Sequence, residues 1–518
     1  MSKQTFLKGT LILILAGFVT KILGFINRMV MARIMGSEGV GLYMMAVPTM
    51  LLILTLTQMG LPVAIAKLVA EAEAKGETSK IKQILIVSLA ITISLGAVFT
   101  TAMILCAPFV ASHLLTDARA YYSLIAVAPI VPIVAVSAVL RGYFQGRQNM
   151  KPTAYSQMLE QMVRITLVAV LSTAFLPLGI EYAAAGAMLS VIAGEFVSLI
   201  YMLFLFKRKK SFKLRRKFFA FLGEGKDTSK QLLKIALPTT GSRLIGTVSL
   251  FFEPIIVAQS LAIAGVATIV ATKQYGELAG YIIPLLTLPT FITFSLSTSL
   301  LPSISEAAAK NQQHLIHTRL EQAMRLSFIA GGLAMVVLLV YAEQIMSFMY
   351  HAPEASGFLK IMAPFCLFLY IQGPLQAALQ ALDLAKPAMY NSLVGALVKT
   401  AAIFALATRP EFGIMGAALA IVIGFVLVTL LHLATIAKNA GFSIELKMIG
   451  KLIILIGGSI YISNLFETYT QFATNPLLEL LIQLTLTGST YIVLMFVLNL
   501  LKASEISHFP LFRNLVKK

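Results

Sequence analysis

The chain repeats a set of residues at a fixed spacing. Ala128-Pro129 recurs as Ala363-Pro364, 235 residues later. The other pairs at this spacing are Phe144-Gln145 with Leu379-Gln380, Lys151-Pro152 with Lys386-Pro387, Tyr155 with Tyr390, and Arg164 with Lys399. Two similar helical bundles in one chain are typical of transporters, whose substrate site lies at the interface between the halves. Transport is therefore the first hypothesis.

Apolar stretches long enough to cross a bilayer recur along the whole chain. Hydrophobic residues make up 58% of the 518 residues and charged residues only 12%, too few to cover a soluble protein of this size. Runs of about 17–25 apolar residues span a membrane as helices. The pattern predicts an all-α polytopic membrane protein with fourteen transmembrane helices, near residues 9–33, 42–66, 83–107, 121–140, 155–176, 183–206, 235–259, 278–301, 326–342, 361–381, 388–407, 414–437, 449–466 and 477–501.

Loop charge predicts the orientation of these helices. If both termini are cytoplasmic, 31 of the 41 Lys and Arg residues lie in inside segments and 5 in outside segments. Cytoplasmic loops are enriched in basic residues. The asymmetry therefore predicts a cell-membrane protein with both termini in the cytoplasm, and it explains the net charge of +19 without nucleic acid as a partner.

A basic linker at residues 207–234 separates the two halves. Six predicted helices precede it, so the second half begins on the same side as the first and the two repeats are parallel. We expect three parts: an N-terminal six-helix bundle with the linker at 1–225, a second six-helix bundle at 226–440, and an extra helix pair with a tail at 441–518. The linker bases are expected to contact anionic lipid headgroups.

Five basic residues lie inside predicted spans. A charge at the bilayer centre costs at least ~2.5–3.5 kcal/mol, so such residues usually face a protein interior or a water-filled cavity. Lys21 and Arg28 are seven residues apart and share one helix face. The remaining three are Arg164, Arg243 and Lys399. Because Arg164 and Lys399 are repeat equivalents, they are candidates to hold one anion between the halves.

A structural reading of the same residues stays open. Arg28 can extend its side chain to the membrane interface. Arg164 and Lys399 can pair with acids such as Glu160 or Glu195 only to neutralise buried charge, and Glu195 is read as structural. Glu253 shares a helix with Arg243, and it is a candidate both for an ion pair and for carrying a proton or cation.

The sequence lacks the motifs of catalysis. No Walker A loop is present, so ATP is not expected to drive the protein. The six His and two Cys residues form no pattern with zinc-ligand spacing. We therefore expect no enzyme activity, no metal and no cofactor.

The first helix carries a recognisable motif. The segment from Thr20 to Gly36, TKILGFINRMVMARIMG, resembles the first-helix motif of the lipid II flippases of the MurJ type. The whole chain resembles the sporulation branch of the polysaccharide-exporter family, which belongs to the superfamily of multidrug, oligosaccharidyl-lipid and polysaccharide exporters. In the flippases an Arg stands at the position of Lys21, a second Arg at Asn27, and an acid at Arg28.

The resemblance implies a flippase for an undecaprenyl-pyrophosphate-linked glycan, a precursor of spore cortex peptidoglycan. The substrate-binding residues would be Lys21, Asn27, Arg28, Arg164, Arg243, Glu253 and Lys399, and the extra helix pair would hold the lipid tail. Two alternatives remain: an ion-coupled antiporter of cationic drugs from the same superfamily, and a non-transporting scaffold that recruits cell-wall synthases.

The orientation can be tested by labelling. Single cysteines at Lys213 and Thr470, in a background without Cys106 and Cys366, should react from opposite sides of the membrane. An impermeant maleimide applied to intact cells should modify the cysteine at position 470 and spare the one at 213. Modification of both positions would contradict the predicted topology.

Overall fold

The computed structural model describes residues 3–209, 225–469 and 475–500. The labelling positions Lys213 and Thr470, residues 210–224 of the basic linker and the tail after residue 500 lie outside this range. All regular elements in the described residues are helices. The α-helices are α1 (Lys3–Gln58), α2 (Leu61–Ala74), α3 (Thr78–Phe109), α4 (Ala120–Val127), α5 (Ile130–Gly146), α6 (Lys151–Phe175), α7 (Ile180–Lys209), α8 (Lys226–Ile263), α9 (Thr268–Tyr275), α10 (Ile283–Thr287), α11 (Thr290–Ala309), α12 (Gln313–Val340), α13 (Ala342–Tyr350), α14 (Ser356–Met362), α15 (Cys366–Ala381), α16 (Ala385–Ala407), α17 (Gly413–Ala440), α18 (Leu446–Tyr469) and α19 (Pro476–Val497).

The predicted all-α membrane architecture is confirmed. In the described part of the chain, 11 helices are long and apolar enough to cross a membrane, or up to 13 if each of two bent pairs counts as one span. One of the 11 runs from Gly17 to Ala74. At 1.5 Å per residue, its 58 residues would be about 87 Å long, far more than the ~30 Å core of a bilayer. The number fourteen stays a prediction.

Gly36 interrupts the long first helix. Its φ of 61° and ψ of −172° are not helical, and glycine adopts positive φ without steric penalty. This break lies between the first two predicted helices. The predicted end of the second helix at residue 66 was wrong, because α1 ends at Gln58, Gly60 adopts a left-handed conformation, and α2 then continues to Ala74.

The Ala-Pro pair has the same local structure in both repeats. Ala128-Pro129 separates α4 from α5, which are bent by 40°. Ala363-Pro364 lies in a short 3-10 turn between α14 and α15. Proline lacks the backbone N–H that would continue the helix. The repeated dipeptide therefore marks a repeated break.

The chain separates into two compact units. Unit 1 contains residues 1–284 and 400–417, and unit 2 contains 285–399 and 418–518. These bounds follow packing, and the predicted domains follow internal repetition. The helix α8, which begins the second repeat, packs within unit 1 because Leu232 and Ala236 are buried in its core. The repeat boundaries therefore stay a prediction.

Each unit has a core of interlocked apolar side chains. In unit 1, the core brings together α2, α3, α5, α7 and α8 around residues such as Ile65, Tyr143 and Phe144. In unit 2, it joins α11, α12, α15 and α17 around residues such as Leu320 and Leu379. Phe144 and Leu379 are repeat equivalents, so equivalent positions of the two repeats carry the packing.

The extra helix pair is attached to unit 2 by hydrogen bonds as well as by packing. The Tyr491 hydroxyl on α19 donates to the carbonyl oxygen of Ile329 on α12 at 2.8 Å. The hydroxyl groups of Tyr341, Ser463 and Thr487 form a buried chain, with distances of 2.8 Å and 3.0 Å. In lipid such interhelical bonds help to hold helices together.

Removal of the Phe144 ring should destabilise unit 1. Phe144 is 1% exposed, whereas Phe404 in the same unit is 54% exposed. Phe144→Ala leaves a cavity that costs about 3–5 kcal/mol in soluble cores, so the apparent melting temperature in detergent should fall. Phe404→Ala removes the same atoms from a surface position and should change it little. Equal melting temperatures of the two variants would contradict this assignment of the core.

Candidate functional site

The predicted cationic face of α1 is separated from Asn27. Lys21 is exposed and Arg28 is partly buried, whereas Asn27 is only 5% exposed. Asn27 donates from Nδ2 to the sulfur of Met31 at 3.3 Å. Neighbouring residues on a helix point about 100° apart, so Asn27 faces the packed side of α1 while its neighbour Arg28 is less enclosed.

Helix α6 packs against α1 at Gly24. A Cβ atom at Gly24 would lie 3.9 Å from Oε1 of Gln161. Among the described residues, four buried oxygens on these two helices have no hydrogen-bond partner: Thr20 Oγ1, Asn27 Oδ1, Thr153 Oγ1 and Gln161 Oε1. A buried polar group left unsatisfied costs about 1–3 kcal/mol. The α1–α6 contact therefore offers acceptors to a water molecule or a ligand.

Arg164 belongs to a charge-balanced network of unit 1. Its Nη2 donates to Glu160 Oε1 at 2.6 Å. Arg141 Nη2 donates to Glu195 Oε1 at 2.7 Å and lies 3.9 Å from Glu160 Oε2. Two guanidinium groups thus alternate with two largely buried carboxylates, the arrangement in which buried charge is tolerated. The structure therefore has the ion pair that the structural reading of Arg164 predicts.

Sequence reasoning missed Arg141, because it placed residues 141–151 in a cytoplasmic loop. The helix α5 continues to Gly146, which brings Arg141 beside α6 and α7. The signal was weak but present: residues 141–146 contain no proline and no run of turn-forming residues that would end a helix.

Lys399 has the same helix-packing position in unit 2 as Arg164 has in unit 1. The Cβ of Arg164 lies 3.4 Å from where a Cβ of Gly194 would be, and the Cβ of Lys399 lies 3.2 Å from that of Gly424. The carboxylates are not repeated. At the 235-residue spacing Glu160 is replaced by Gly395, and the residue after Gly424 is Phe425, where Glu195 follows Gly194.

Arg243 and Glu253 lie apart on α8. Ten residues separate them, about 15 Å along a helix axis, so they do not form a direct pair. Arg243 is exposed, and Glu253 is partly buried. The carboxylate of Glu253 is close enough to the buried Tyr275 on α9 to act on it electrostatically. The structure therefore does not bring these two candidates to one place.

A second polar cluster was not predicted. The Asp117 carboxylate, 3% exposed, accepts from Arg119 Nε at 3.0 Å, from Arg119 Nη2 at 2.9 Å and from the Thr272 hydroxyl at 2.7 Å. Arg119 also forms an ion pair with Glu38. The available signal was the spacing Asp-x-Arg, in a segment that is predicted to lie outside and in which bases are rare. We call Glu38, Asp117, Arg119 and Thr272 the outer cluster.

Ionisation of the outer cluster is favoured near neutral pH. Burial alone would raise the pKa of Asp117, but the hydrogen bonds from Arg119 and Thr272 together outweigh it and lower the pKa. Hydrogen bonding to Asp117 raises the pKa of Arg119. Because the folded-state pKa of Asp117 is lowered, its contribution to stability is present above the ordinary Asp value and is lost as the pH falls through the lowered value.

Similarity to known proteins agrees with this architecture. A model of the family described as "Polysaccharide biosynthesis protein" matches residues 6–308, and the MatE family model matches residues 254–404. The stage V sporulation protein B of Bacillus subtilis (strain 168) is 56% identical over 518 residues, covering all of both chains.

Two solved structures share the fold at low sequence identity. The lipid II flippase MurJ in its inward closed conformation has a TM-score of 0.68 and 16% identity, covering 97% of this chain and 99% of that one. An inward-facing MATE family transporter of the MOP superfamily has a TM-score of 0.65 and 14% identity, covering 82% and 94%. The chain therefore belongs to the polysaccharide biosynthesis protein family, is a multi-pass membrane protein, and shares the fold of these two structures.

Proposed function

We propose that this chain is an alternating-access flippase for an undecaprenyl-pyrophosphate-linked glycan, a peptidoglycan precursor used in the spore cortex. The observation that carries the proposal is the cationic face of α1, where Lys21 and Arg28 stand seven residues apart. A point-charge Lys and a forked Arg both suit pyrophosphate oxygens. The similarity to a sporulation protein over the full length supports the choice of cortex precursor.

The remaining candidates contribute according to their surroundings. Thr20, Asn27 and Gln161 have buried oxygens without partners, which suit hydrogen-bond donors such as sugar hydroxyl or amide groups. Arg164 holds Glu160 within α6, where Arg141 of α5 also approaches that carboxylate. Arg164 and Lys399 each provide positive charge for the pyrophosphate. In this proposal the polyprenyl tail stays in lipid beside the C-terminal helix pair, and both termini are cytoplasmic.

Transport in this direction does not require ATP. An anion moving outward across an inside-negative membrane is favoured by about 2.3 kcal/mol per elementary charge per 100 mV. The contribution holds only for charge that the protein does not neutralise during the crossing. The membrane potential is therefore the proposed driving force.

A second candidate function is the ion-coupled export of cationic drugs. The observation that favours it is Glu253, a partly buried acid on α8 of a chain with the fold of a multidrug MATE transporter. A cationic substrate needs carboxylates, and like charges brought together cost several kcal/mol. The basic face of α1 therefore favours the lipid-linked anion over the drug. A scaffold that recruits cell-wall synthases would show neither transport activity.

Charge reversal at Lys21 separates these functions. In proteoliposomes with an imposed potential, Lys21→Glu should slow flipping of a fluorescent lipid-linked precursor at least about tenfold, equivalent to ~1.4 kcal/mol. Lys21→Arg should keep the parent rate, because charge and not size decides. Lys438→Glu, the same change at an exposed residue in the last turn of α17, is the matched control.

If Lys21→Glu flips the precursor at the parent rate, the cationic face of α1 does not bind the anion. Efflux of a cationic dye that disappears in Glu253→Gln would favour the antiporter. If the parent protein transports neither substrate, a scaffold for cell-wall synthases becomes the favoured function.

Arg164 and Lys399 can be tested for a role beyond structure. Breaking a buried ion pair costs about 3–5 kcal/mol, so Arg164→Ala should lower both melting temperature and flipping. Lys399→Ala should lower flipping with a smaller change in melting temperature. The matched control is Arg325→Ala, which removes another buried Arg paired with an acid four residues away, Glu321. Parent-like flipping by both Arg164→Ala and Lys399→Ala would confine the two residues to a structural role.

A further inference from the structure

Two segments of unit 1 approach each other at backbone distance near the break in α1. A Cβ atom at Gly41 would overlap the carbonyl oxygen of Thr272, and one at Gly276 would overlap the carbonyl oxygen of Ser37. Only glycine lets two main chains come this close. The turn of α1 at 36–41 and the segment from α9 to Gly276 therefore form a tight, side-chain-free contact.

The outer cluster joins the same two segments by polar bonds. Asp117 Oδ2 accepts from the Thr272 hydroxyl at 2.7 Å, and Asp117 is itself held by three bonds from Arg119, two of them from the side chain. Arg119 pairs with Glu38 on α1. The cluster therefore connects α1, the loop after α3 and α9.

The division of these bonds between the repeats is informative. Glu38, Asp117 and Arg119 all belong to the first predicted repeat, and Thr272 belongs to the second. If α9 moved away from α1, the ion pairs would stay intact and only the bond between Thr272 and Asp117 would be lost from the cluster. A hydroxyl and a carboxylate that separate in this way can both be solvated by water. The charges of the outer cluster would all keep a partner, so the contact is built to open and close.

The predicted orientation places this contact at the extracytoplasmic end of the protein. We propose, on the basis of the proposed flippase function, that the outer cluster is the latch of an extracytoplasmic gate, in which Thr272 on α9 is released from Asp117 when the substrate leaves. Gly41 and Gly276 form the closed seam of the gate. Arg119 and Glu38 keep Asp117 oriented in both states, so that the latch can close again.

The latch predicts the behaviour of a buried reporter beside the seam. Val40 is 2% exposed and contacts the position of Gly280, so a cysteine at position 40 is shielded in the closed gate. The full-length protein carries Val40→Cys and Cys106→Ala and retains Cys366, which is fully buried in unit 2. An impermeant maleimide is applied from outside to intact cells, and each cysteine is quantified by peptide mass spectrometry.

Thr272→Val removes the hydroxyl and keeps the side-chain shape. It should raise the labelling rate of the cysteine at position 40 about tenfold or more, since a hydrogen bond to a charged group is lost. Thr272→Ser should label like the parent. The matched control is Thr92→Val, at a buried threonine whose hydroxyl bonds within its own helix, and it should also label like the parent. Labelling of Cys366 identifies any variant that unfolds, and Thr272→Ser then serves as the folded comparison.

Flipping of the lipid-linked precursor is measured on the same variants in proteoliposomes. Faster labelling in Thr272→Val with Cys366 protected supports the latch. If the parent protein also fails to flip this precursor, the latch is still supported and only the proposed substrate is contradicted. Parent-like labelling in Thr272→Val overturns the latch, whether or not the protein flips lipid. Equal acceleration in Thr92→Val would also overturn it, because the effect would not be specific to the outer cluster.

Discussion

Charged side chains inside a membrane protein need a partner or access to water, and this requirement organises the interior of unit 1. Moving an isolated charge to the bilayer centre is unfavourable by several kcal/mol. Arg141, Glu160, Arg164 and Glu195 satisfy the requirement together, because each guanidinium lies against a carboxylate. The helices α5, α6 and α7 are positioned by these contacts, and α1 packs against α6 through Gly24 and Gln161. The position of the cationic face of α1 thus depends on this network.

The two repeats solve the same packing problem with different chemistry. Arg164 lies over Gly194, and Lys399 lies over Gly424, so the cation and its glycine are kept in both. The acids that accompany Arg164 have no counterparts at the equivalent positions of the second repeat. An asymmetric distribution of charge in a symmetric scaffold suits a substrate whose two ends differ, such as a charged pyrophosphate with an apolar tail. It also means that the two cations need separate tests.

The apolar core of unit 1 and the outer cluster have different physical characters. Apolar side chains from five helices of unit 1 interlock in the core, and such packing resists small movements. At the outer cluster, backbone contact through two glycines and one bond from Thr272 join α9 to α1. These contacts can separate while Asp117, Arg119 and Glu38 keep their ion pairs. Rigid packing in the core and separable contacts at the outer cluster would let α9 move while the core of unit 1 stays in place.

The sequence by itself determined the class of structure. Apolar runs, loop charge and the 235-residue repeat depend on properties that are local or additive, and they predicted an all-helical, multi-pass membrane protein. It also identified Lys21, Arg28, Arg164, Arg243 and Lys399, since a charge in an apolar run is visible in one dimension, but it missed Arg141. Helix ends were less accurate: Gly60 and the extension of α5 to Gly146 depend on backbone conformation and on neighbouring helices.

Only the tertiary structure decided which charges meet. Arg141 and Glu195 are 54 residues apart, and Asp117 and Thr272 are 155 apart, and no periodicity links such positions. Asn27 shares a motif with Lys21 and Arg28, yet its side chain is buried while theirs are less enclosed, because helix packing and not the motif sets the buried face. Pairing between distant residues is decided by which helices pack together, and that choice minimises buried charge and empty space over the whole molecule at once.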